Sequence, residues 1–555
     1  MLKDEAKKIL EQIGLKNIEK TLEFPRTEVC DLASTICFKI AKEEGRDPKE
    51  IAEEIVKKIR LKDSLIEAVE AKNGYINFFF NWEKVAEKIL KDILTKKEKY
   101  GSIDIGKNKV AVVEFSSPNP VHPIHIGSAR STFIGESLCR ILEKCGYKVK
   151  RIFFVNDIGR QVAILIWGYL KFAKGRKPTG KADHWLLDIY IKANKFLAEN
   201  PEKEMEISEI LKKLELGDKK IQQITKKIVK WCLNGFKQTY RILGIKFDEY
   251  IWESDFLEDA KKYVKQLIME KKAFETSDGA VVVDLEKYNL PNTVILRYDG
   301  TTLYLIRDTA ASIYRFKKYS PELNVYVVAE DQRLHFQQQF EILKLLGYEK
   351  IAQNSTHLSY GYVLLPEGKI ISRFGRVVLL DDVIQKAIEE VRKRYLISKN
   401  LAKIIGIGAV IYSILKIDPN KQVTFKWSDV LSLEGDTGPY LQYAYVRCAS
   451  ILKKVKKIRK NFFVEKLDEK EKILIKKISQ FPQVIEQAAK DLRPNYICNY
   501  AYDLAVAFNN FYENCPVLNI EDRKRKNFRL TLVLATEIVL KSILKLIGIE
   551  VPQKM

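Results

Sequence analysis

The sequence lacks the signatures of several classes of protein. Its eight cysteines include no Cys-x-x-Cys pair and no cysteine–histidine knuckle, which removes the usual zinc-binding patterns. Its longest apolar runs, around 404–415 and 530–540, fall well short of the roughly 20 residues that a membrane span requires. The first residues, MLKDEAKKIL, contain no apolar core of signal-peptide length. We therefore expect no structural metal, no membrane segment and a location in the reducing cytoplasm.

The chain has fewer acidic than basic side chains. Lys and Arg number 96 against 73 Asp and Glu, which gives a net charge of +23. This excess predicts a large acidic partner. The 555 residues leave room for about three or four domains, and the 46% of hydrophobic residues is typical of a globular protein.

The hydrophobic pattern divides the chain into three predicted domains. Residues 1–104 begin with helical periodicity and end in two alternating segments joined by Asn73-Gly74, the pair typical of a type I′ hairpin turn. From Val110, a buried strand (VAVVEF), the loop SSPNPVHPIHIGS, an amphipathic helix and a second strand (VKRIFFVND) follow one another. This βαβ order predicts a doubly wound parallel sheet.

We assign residues 105–435 to this sheet domain. A mostly helical, highly charged insertion is predicted at about 165–285, after which strands return at TVILRYDG and VYVVAED with a helix over Tyr304–Tyr314 between them. Residues 436–555 have helical periodicity and contain a basic run from Lys453 to Lys460. The predicted fold is therefore multidomain α/β, with an α+β N-terminal domain and an all-α C-terminal bundle.

The loop SSPNPVHPIHIGS lies where a doubly wound sheet binds its ligand. There the N-terminus of the following helix offers free backbone amides and partial positive charge to a phosphate. Gly127 allows a nucleotide to approach the backbone closely, and His125 has the chemistry to donate to a phosphate oxygen. The alternative is that His125 is a structural hydrogen-bonding residue in a proline-rich loop.

The segment VEFSSPNPVHPIHIGSARS resembles the signature loop of class I aminoacyl-tRNA synthetases, and its Ser-x-Asn lead-in resembles the arginyl-tRNA synthetase version. Further resembling segments follow in the same order: FFVNDIGRQV, LYLIRD, VYVVAEDQRLHFQQ, GKIISRFGRVVLLDDV, TGPYLQYAYVR and the terminal VPQKM. The resemblance implies a Rossmann-type catalytic domain. It also implies ATP-dependent attachment of L-arginine to tRNA(Arg) through an arginyl-adenylate, with Mg²⁺ accompanying ATP, by a monomer.

The resemblance also implies roles for individual residues in the activation step, whose chemistry is electrostatic stabilisation of phosphate charge. The residues implied in catalysis are His125, Gly127, Ser128 and Lys369. The residues implied in ATP binding are His122, His125, Gly127, Ser128, His335, Lys369, Ser372 and Arg373. For His335, a structural role is equally open.

The chain departs from the family pattern at three positions. Ser128 replaces the second histidine of the first signature, Phe374 replaces a lysine of the second signature, and His122 stands where many arginyl enzymes have a lysine. Unless Arg373 or Arg376 substitutes, the positive charge around the pyrophosphate is thinner than in the family pattern. The departures leave open a tRNA-binding paralogue that has lost activation.

An arginine side chain presents a planar fork of five donors, so its pocket needs a carboxylate and oxygen acceptors. By resemblance, Tyr304 and Asp308, one helical turn apart, bind the guanidinium. The remaining residues implied in arginine binding are Glu114, Ser117, Asn119 and Gln332. The alternative for Asp308 is an ion pair with Arg307 or another basic group. A class I synthetase for another amino acid is disfavoured by this pair and by the missing zinc cysteines.

Aromatic residues in the C-terminal bundle are candidates for reading the anticodon, because exposed bases stack on aromatic rings. By resemblance these are Tyr440, Tyr443, Tyr512 and Met555. The alternative is that the tyrosines pack one helix against another. The sequence leaves open the anticodon preference, the oligomeric state, the tRNA contacts of the N-terminal domain and whether activation requires bound tRNA.

Overall fold

The computed structural model describes residues 1–25, 29–365, 368–369, 378–455, 458–459, 462 and 464–555. The helices are α1 (Leu2–Gln12), α2 (Ile36–Glu44), α3 (Pro48–Lys58), α4 (Trp82–Lys96), α5 (Ile126–Lys144), α6 (Arg160–Phe172), α7 (Ala182–Glu199), α8 (Glu204–Leu216), α9 (Lys219–Ile242), α10 (Leu257–Met269), α11 (Tyr304–Tyr319), α12 (Arg333–Leu345), α13 (Glu349–Gln353), α14 (Leu380–Tyr395), α15 (Lys399–Leu415), α16 (Trp427–Val430), α17 (Gly438–Lys453), α18 (Glu469–Lys490), α19 (Asn495–Asn514) and α20 (Arg523–Leu546). The strands are β1 (Leu22–Glu23), β2 (Leu32–Ser34), β3 (Ile66–Lys72), β4 (Tyr75–Phe80), β5 (Val110–Glu114), β6 (Lys148–Val155), β7 (Glu249–Trp252), β8 (Ala273–Glu275), β9 (Val281–Val283), β10 (Thr293–Leu296), β11 (Leu323–Ala329), β12 (Ser355–Tyr360), β13 (Val363–Leu365), β14 (Gly368–Lys369) and β15 (Val423–Thr424).

These elements form two compact units. The first comprises Met1–Tyr100, Ile451–Ser479 and Ala507–Ile538, and the second comprises Gly101–Ser450, Gln480–Val506 and Val539–Met555. The division therefore falls inside α17, α18, α19 and α20. The domain boundaries expected at 104 and 435 stay predictions.

The first unit contains a four-stranded sheet in the order β1-β2-β4-β3. β3 and β4 form the hairpin predicted around Asn73-Gly74, with Lys72 paired to Tyr75. Both turn residues have positive φ, 54° for Asn73 and 82° for Gly74, which is the conformation that a type I′ turn demands. The Asn-Gly pair therefore sets the register of this hairpin.

The second unit contains a five-stranded, all-parallel sheet in the order β12-β11-β5-β6-β7. The chain starts in the centre at β5, proceeds to one edge through β6 and β7, and returns to the other side of β5 as β11. The strand order thus reverses between β5 and β11. Ligands of open parallel sheets bind outside the carboxyl ends of the strands at such a reversal point.

Close packing of α5 on β5 places the start of α5 at that point. Gly135 in the middle of the helix lies so near the sheet that an added Cβ would come within 2.2 Å of Phe115. Residues 111–113 of β5 are buried, as a parallel sheet covered on both faces requires. The predicted βαβ unit is therefore present, and it points the N-terminus of α5 at the ligand-binding edge.

Two expectations about the sheet need correction. The predicted helical insertion carries α6 to α10, yet it also contains strands. β7 pairs in parallel with β6 as an edge of the main sheet, and β8 and β9 belong to a second sheet. The strand predicted at TVILRYDG is β10, but it belongs to a separate antiparallel sheet, β10-β9-β8. A short apolar pattern identifies a strand without identifying its partner, because pairing depends on tertiary context.

Within the described chain, no helix taken alone has the length and apolar character of a membrane span, and only α14 with α15, bent by 119° at their junction, passes that test as a pair.

Candidate active site

A cavity of about 800 Å³ opens at the carboxyl ends of β5 and β11 in the second unit. Eleven of the residues singled out in the sequence line it: Glu114, Ser117, Asn119, His122, His125, Gly127, Ser128, Tyr304, Asp308, Gln332 and His335. These residues come from the loop after β5, the start of α5, the first turn of α11 and the segment after β11. The fold thus gathers into one cavity side chains that lie up to about 220 positions apart in the chain.

The loop after β5 is held in an unusual backbone conformation. Ser116 and Ser117 have φ values of 67° and 43°, a region that residues other than glycine seldom occupy. The Ser117 hydroxyl accepts a hydrogen bond from the Phe154 amide at 3.0 Å and donates to the Phe115 carbonyl at 3.2 Å. The side chain of Ser117, expected to bind substrate, therefore holds the loop that follows β5 against β6.

His125 is the N-cap of α5, and its ring contacts a single residue with both nitrogens. The Ser128 amide donates to Nδ1 at 3.1 Å, and Nε2 lies 3.1 Å from the Ser128 hydroxyl. Because Nδ1 accepts from a backbone N–H, the proton of the neutral ring is on Nε2. Burial, with a smaller contribution from His122, lowers the pKa of His125 to about 4. His125 is therefore a neutral hydrogen-bond donor in the cavity.

The signature loop pairs with the residues that follow the second signature. The Ile126 amide donates to the Val378 carbonyl at 3.0 Å, and the Leu380 amide donates to the Ile124 carbonyl at 2.8 Å. His125 and Leu379 face each other in this short antiparallel bridge. The start of α14 therefore lies directly against the loop that carries His125.

Two buried ion pairs form the other wall of the cavity. Glu114 at the end of β5 bonds Arg315 of α11, and Glu253 bonds Arg307 with 2.7 Å between Oε1 and Nε. Although Arg307 opposes the effect, burial raises the pKa of Glu253 above its usual range. Burial likewise raises the pKa of Glu114. Each carboxylate thus already has an arginine of the chain itself as its partner.

Asp308 faces the cavity and differs from these two acids, because no arginine among the described residues forms an ion pair with it. Its Oδ2 lies 3.0 Å from Nε2 of His335, and its side chain is 24% exposed. The Tyr304 ring stacks on the His335 ring with centroids 5.0 Å apart. The alternative of an Asp308–Arg307 pair is not what the structure has, since Arg307 donates to Glu253 and to Thr302.

Several cavity residues were not predicted from the sequence to be site residues. Besides Glu253 and Arg307, they include Arg160, which bonds Glu204, and Arg297, which bonds Glu215. Arg307 lies inside the quoted segment LYLIRD and Arg160 inside FFVNDIGRQV, so these segments carried the signal. Glu253 lies in no quoted segment, and only the fold places it beside Arg307.

The remaining candidates fall into two groups. Ser372 and Arg373 are outside the described residues, together with Phe374 and Arg376, and of Lys369 only the backbone, in β14, is described. In the second unit, Tyr440 packs against Tyr502 at 5.8 Å between ring centroids, and the Arg447 guanidinium lies over the Tyr443 ring at 4.7 Å. In the first unit, Tyr512 is 40% exposed and stacks on Phe508. Met555 is half-buried.

Comparison with known proteins gives a consistent result over the whole chain. Residues 89–427 match the family model described as tRNA synthetases class I (R), catalytic domain, residues 1–80 match the arginyl tRNA synthetase N terminal domain, and residues 441–555 match the DALR anticodon binding domain. The chain is 40% identical to an arginine–tRNA ligase of Halothermothrix orenii, with 98% of this chain and 97% of the relative covered. It is 36% identical to that of Methanocaldococcus jannaschii, with 99% and 97% covered. Among solved structures, it resembles Thermus thermophilus arginyl-tRNA synthetase with a TM-score of 0.86 at 25% identity, covering 100% of this chain and 99% of that one.

Proposed function

The chain belongs to the arginyl-tRNA synthetase family and attaches L-arginine to tRNA for translation, and we propose that the cavity between β5 and β11 carries out this reaction. In the first step, a carboxylate oxygen of arginine attacks the α-phosphorus of ATP and the bond to pyrophosphate breaks. In the second step, a ribose hydroxyl of tRNA attacks the carbonyl carbon of the adenylate and AMP leaves. Both steps need positioning and charge stabilisation rather than a covalent nucleophile.

The availability of Asp308 is the observation that carries the proposal. The carboxylates of Glu114 and Glu253 already bond Arg315 and Arg307, so we do not assign the substrate guanidinium to them. The predicted part of Glu114 in holding another group of arginine stays a prediction. Asp308 keeps one face open to the cavity, and its contact with His335 fixes its orientation. A substrate guanidinium has the fork of donors that matches such a carboxylate. We propose that Asp308 binds it, with Tyr304 and Gln332 beside it.

We assign the ATP end of the cavity to the start of α5. The first amides of the helix and its dipole attract phosphate, and Gly127 leaves the backbone open to a nucleotide. The neutral Nε2–H of His125 is a donor that gains strength as negative charge develops on the phosphate oxygens. ATP enters as its magnesium complex, in which the metal belongs to the substrate.

The serine that replaces the second histidine of the first signature, Ser128, supports an active enzyme rather than a paralogue that binds tRNA without activating arginine. Ser128 contacts His125 through its amide and its hydroxyl, and these contacts hold the ring in one tautomer. A serine at this position therefore orients the remaining histidine of the signature. We propose that this orientation replaces the contribution of a second histidine.

Replacing Asp308 with Asn tests the arginine-binding assignment. We expect Asp308→Asn to lower kcat/KM for arginine by about 10- to 100-fold or more, because hydrogen bonds to charged groups contribute about 1.5–3 kcal/mol each. Binding of tRNA, measured by filter retention, should not change. Asp259→Asn, an exposed carboxylate in the first turn of α10 outside the cavity, is the matched control.

Unchanged arginine charging by Asp308→Asn would refute the assignment, whereas equal losses in both variants would indicate a general effect on folding. A loss of tRNA binding in Asp308→Asn alone would also count against it, since Asp308 lies in the amino-acid part of the proposed site.

For tRNA, we propose that Tyr440 and Tyr443, three residues apart on α17, bind anticodon bases, and that Tyr512 and Met555 contribute as the sequence predicts. Stacking and a basic surface are what single-stranded RNA requires, and the net charge of +23 supports such a partner. Alanine at Tyr440 should raise KM for tRNA without changing KM for arginine; an unchanged KM for tRNA would contradict this role.

We further propose that the enzyme acts as a monomer in the cytoplasm. Light scattering after size-exclusion chromatography should give a mass near the 64.3 kDa of one chain, and twice that value would contradict the monomer.

A further inference from the structure

A cluster of charged side chains joins the helical insertion to the start of α14. Lys181, the residue before α7, donates to Asp183 at 2.9 Å and to Asp381 at 2.5 Å. Thr239 of α9 donates to the other oxygen of Asp381 at 2.8 Å, and Nε2 of His184 lies 2.8 Å from Asp381. Asp381 therefore receives three side-chain contacts from the insertion: one from the residue before α7, one from α7 and one from α9.

The same cluster includes Asp183, His184 and Asp381 as possible metal ligands, whose ligand atoms lie within 4.8 Å of one another. The Lys181 ammonium, however, bonds both carboxylates and so already supplies the positive charge that a metal ion would bring. His184 adds to it, because the hydrogen bond to Asp381 raises the pKa of this histidine. The arrangement is that of an ionic crosslink rather than a metal centre.

The base of this crosslink is closely packed. The Asp183 side chain is fully buried, and an added Cβ on Gly235 of α9 would come within 2.2 Å of its Oδ1. α7 and α9 therefore approach each other with no spare space at this level. The donors to the Asp381 carboxylate therefore come from a closely packed and rigid part of the structure, which holds that carboxylate in place.

Asp381 is next in sequence to residues that pair with the loop of His125. The amide of the preceding residue, Leu380, donates to Ile124, and the carbonyl of Val378 accepts from Ile126. The two contacts lie on either side of His125. The position of Asp381 therefore sets the position of the backbone against which the His125 loop rests.

We propose that Asp381 is a positioning residue for adenylate formation, acting through residues 378–380 on His125. The inference rests on the proposed function, because it assigns to His125 the donor role at the phosphate. Asp381 itself is not among the residues that line the cavity. Its role is to transmit the fixed position of α7 and α9 to the ATP end of the site.

Such a role predicts an effect on kcat rather than on substrate KM. His125 donates most strongly when charge has developed on the phosphate, so its misplacement weakens the transition state more than the bound ground state. The arginine end of the cavity is built from α11 and β11, which the cluster does not touch. KM for arginine should therefore stay the same.

The test compares Asp381→Asn with Asp382→Asn. The two aspartates are neighbours in the first turn of α14, but Asp382 is exposed and outside the cluster. We expect Asp381→Asn to lower kcat for arginine activation about 10- to 100-fold per active site, with the active fraction measured by burst titration. KM for arginine and tRNA affinity should remain unchanged, and Asp382→Asn should match the wild type.

Thr239 provides an independent pair of variants. Thr239→Val removes the hydroxyl that bonds Asp381 while keeping the shape, so kcat should fall several-fold, and Thr239→Ser should restore it. A wild-type kcat per active site in Asp381→Asn would overturn the proposal, even if the protein were less stable. Equal defects in Thr239→Val and Thr239→Ser would also overturn it. Failure of the wild-type chain to activate arginine would instead contradict the proposed function.

Discussion

Histidine is scarce in this chain, and the residues of this type experience opposite environments. Burial lowers the pKa of His122, His125 and His357, whereas the hydrogen bond to Asp381 raises the pKa of His184. With 5 histidines in 555 residues, each ring signal can be followed separately by NMR. The titration of these rings therefore reports directly on the geometry of the site.

We expect the His184 signal, identified by its loss in His184→Gln, to titrate above the ordinary value near 6.5. The His125 signal should stay in its neutral form, with the proton on Nε2, down to about pH 4. The stability that protonated His184 contributes should be fully present below pH 6.5 and lost as the pH rises through its folded pKa. A His125 signal that titrates near 6.5 would contradict the buried, neutral donor.

Gly127 leaves space for the ring of His125. An added Cβ would lie 2.9 Å from Cε1 and Nδ1 of His125, so the ring would have to move. Gly127→Ala should therefore lower kcat for activation by about tenfold or more. Its stability should change by no more than about 1 kcal/mol, because alanine is the better helix former. Thermal unfolding alongside pyrophosphate exchange separates the two effects, and wild-type exchange would exclude the close contact.

The sequence could identify which residues approach the ligand but not which of them are already occupied. Asp308, Glu114 and Arg307 are all present in quoted segments, and nothing in their spacing shows that Arg307 bonds Glu253 while Asp308 stays open. Partner choice among buried charges depends on distances of a few ångströms across the fold. The residues of the site could therefore be predicted from the sequence. Which of them form ion pairs with one another, and which stay open to a ligand, could not.

At the scale of secondary structure, the β3–β4 hairpin shows how local chemistry fixes an element. Gly74 has a φ of 82°, and an added Cβ would lie 2.9 Å from Cζ of Phe38. Gly45 has a φ of 70° at the end of α2, but nothing lies within 4 Å of its added Cβ. The two glycines share the backbone conformation and differ in the space around it.

Gly74→Ala should therefore destabilise the protein by about 1–3 kcal/mol, and Gly45→Ala by less, because only Gly74 adds a steric clash to the backbone strain. Urea unfolding followed by circular dichroism measures both. Equal losses would mean that φ strain alone accounts for the cost and that the contact with Phe38 relaxes freely.

Elements with strong local signals were predicted, and their partners were not. The Asn73-Gly74 turn and the stripe of α5 are local features, and both are present as expected. The assignment of β10 to the main sheet was wrong, since its neighbours β9 and β8 lie in a different sheet. β7 was missed because its four residues lie within a long, charged helical segment.

At the scale of the whole molecule, the order of the motifs carried more information than any one of them. The parallel sheet with its reversal between β5 and β11 explains why segments as distant as residues 114–128 and 304–335 line one cavity. The net charge of +23 agrees with a nucleic-acid substrate. The division of the C-terminal helices between two compact units follows from tertiary contacts that periodicity does not contain.

The most direct test of the central claim is attachment of each of the twenty labelled amino acids to total tRNA by the purified chain, with ATP and Mg²⁺. We predict that arginine alone becomes acid-precipitable, and that omission of ATP abolishes the signal. Attachment of a different amino acid would contradict the role of the cavity that Asp308 and Tyr304 line. Tight binding of tRNA with no attachment would mean that His125 and the start of α5 do not support adenylate formation.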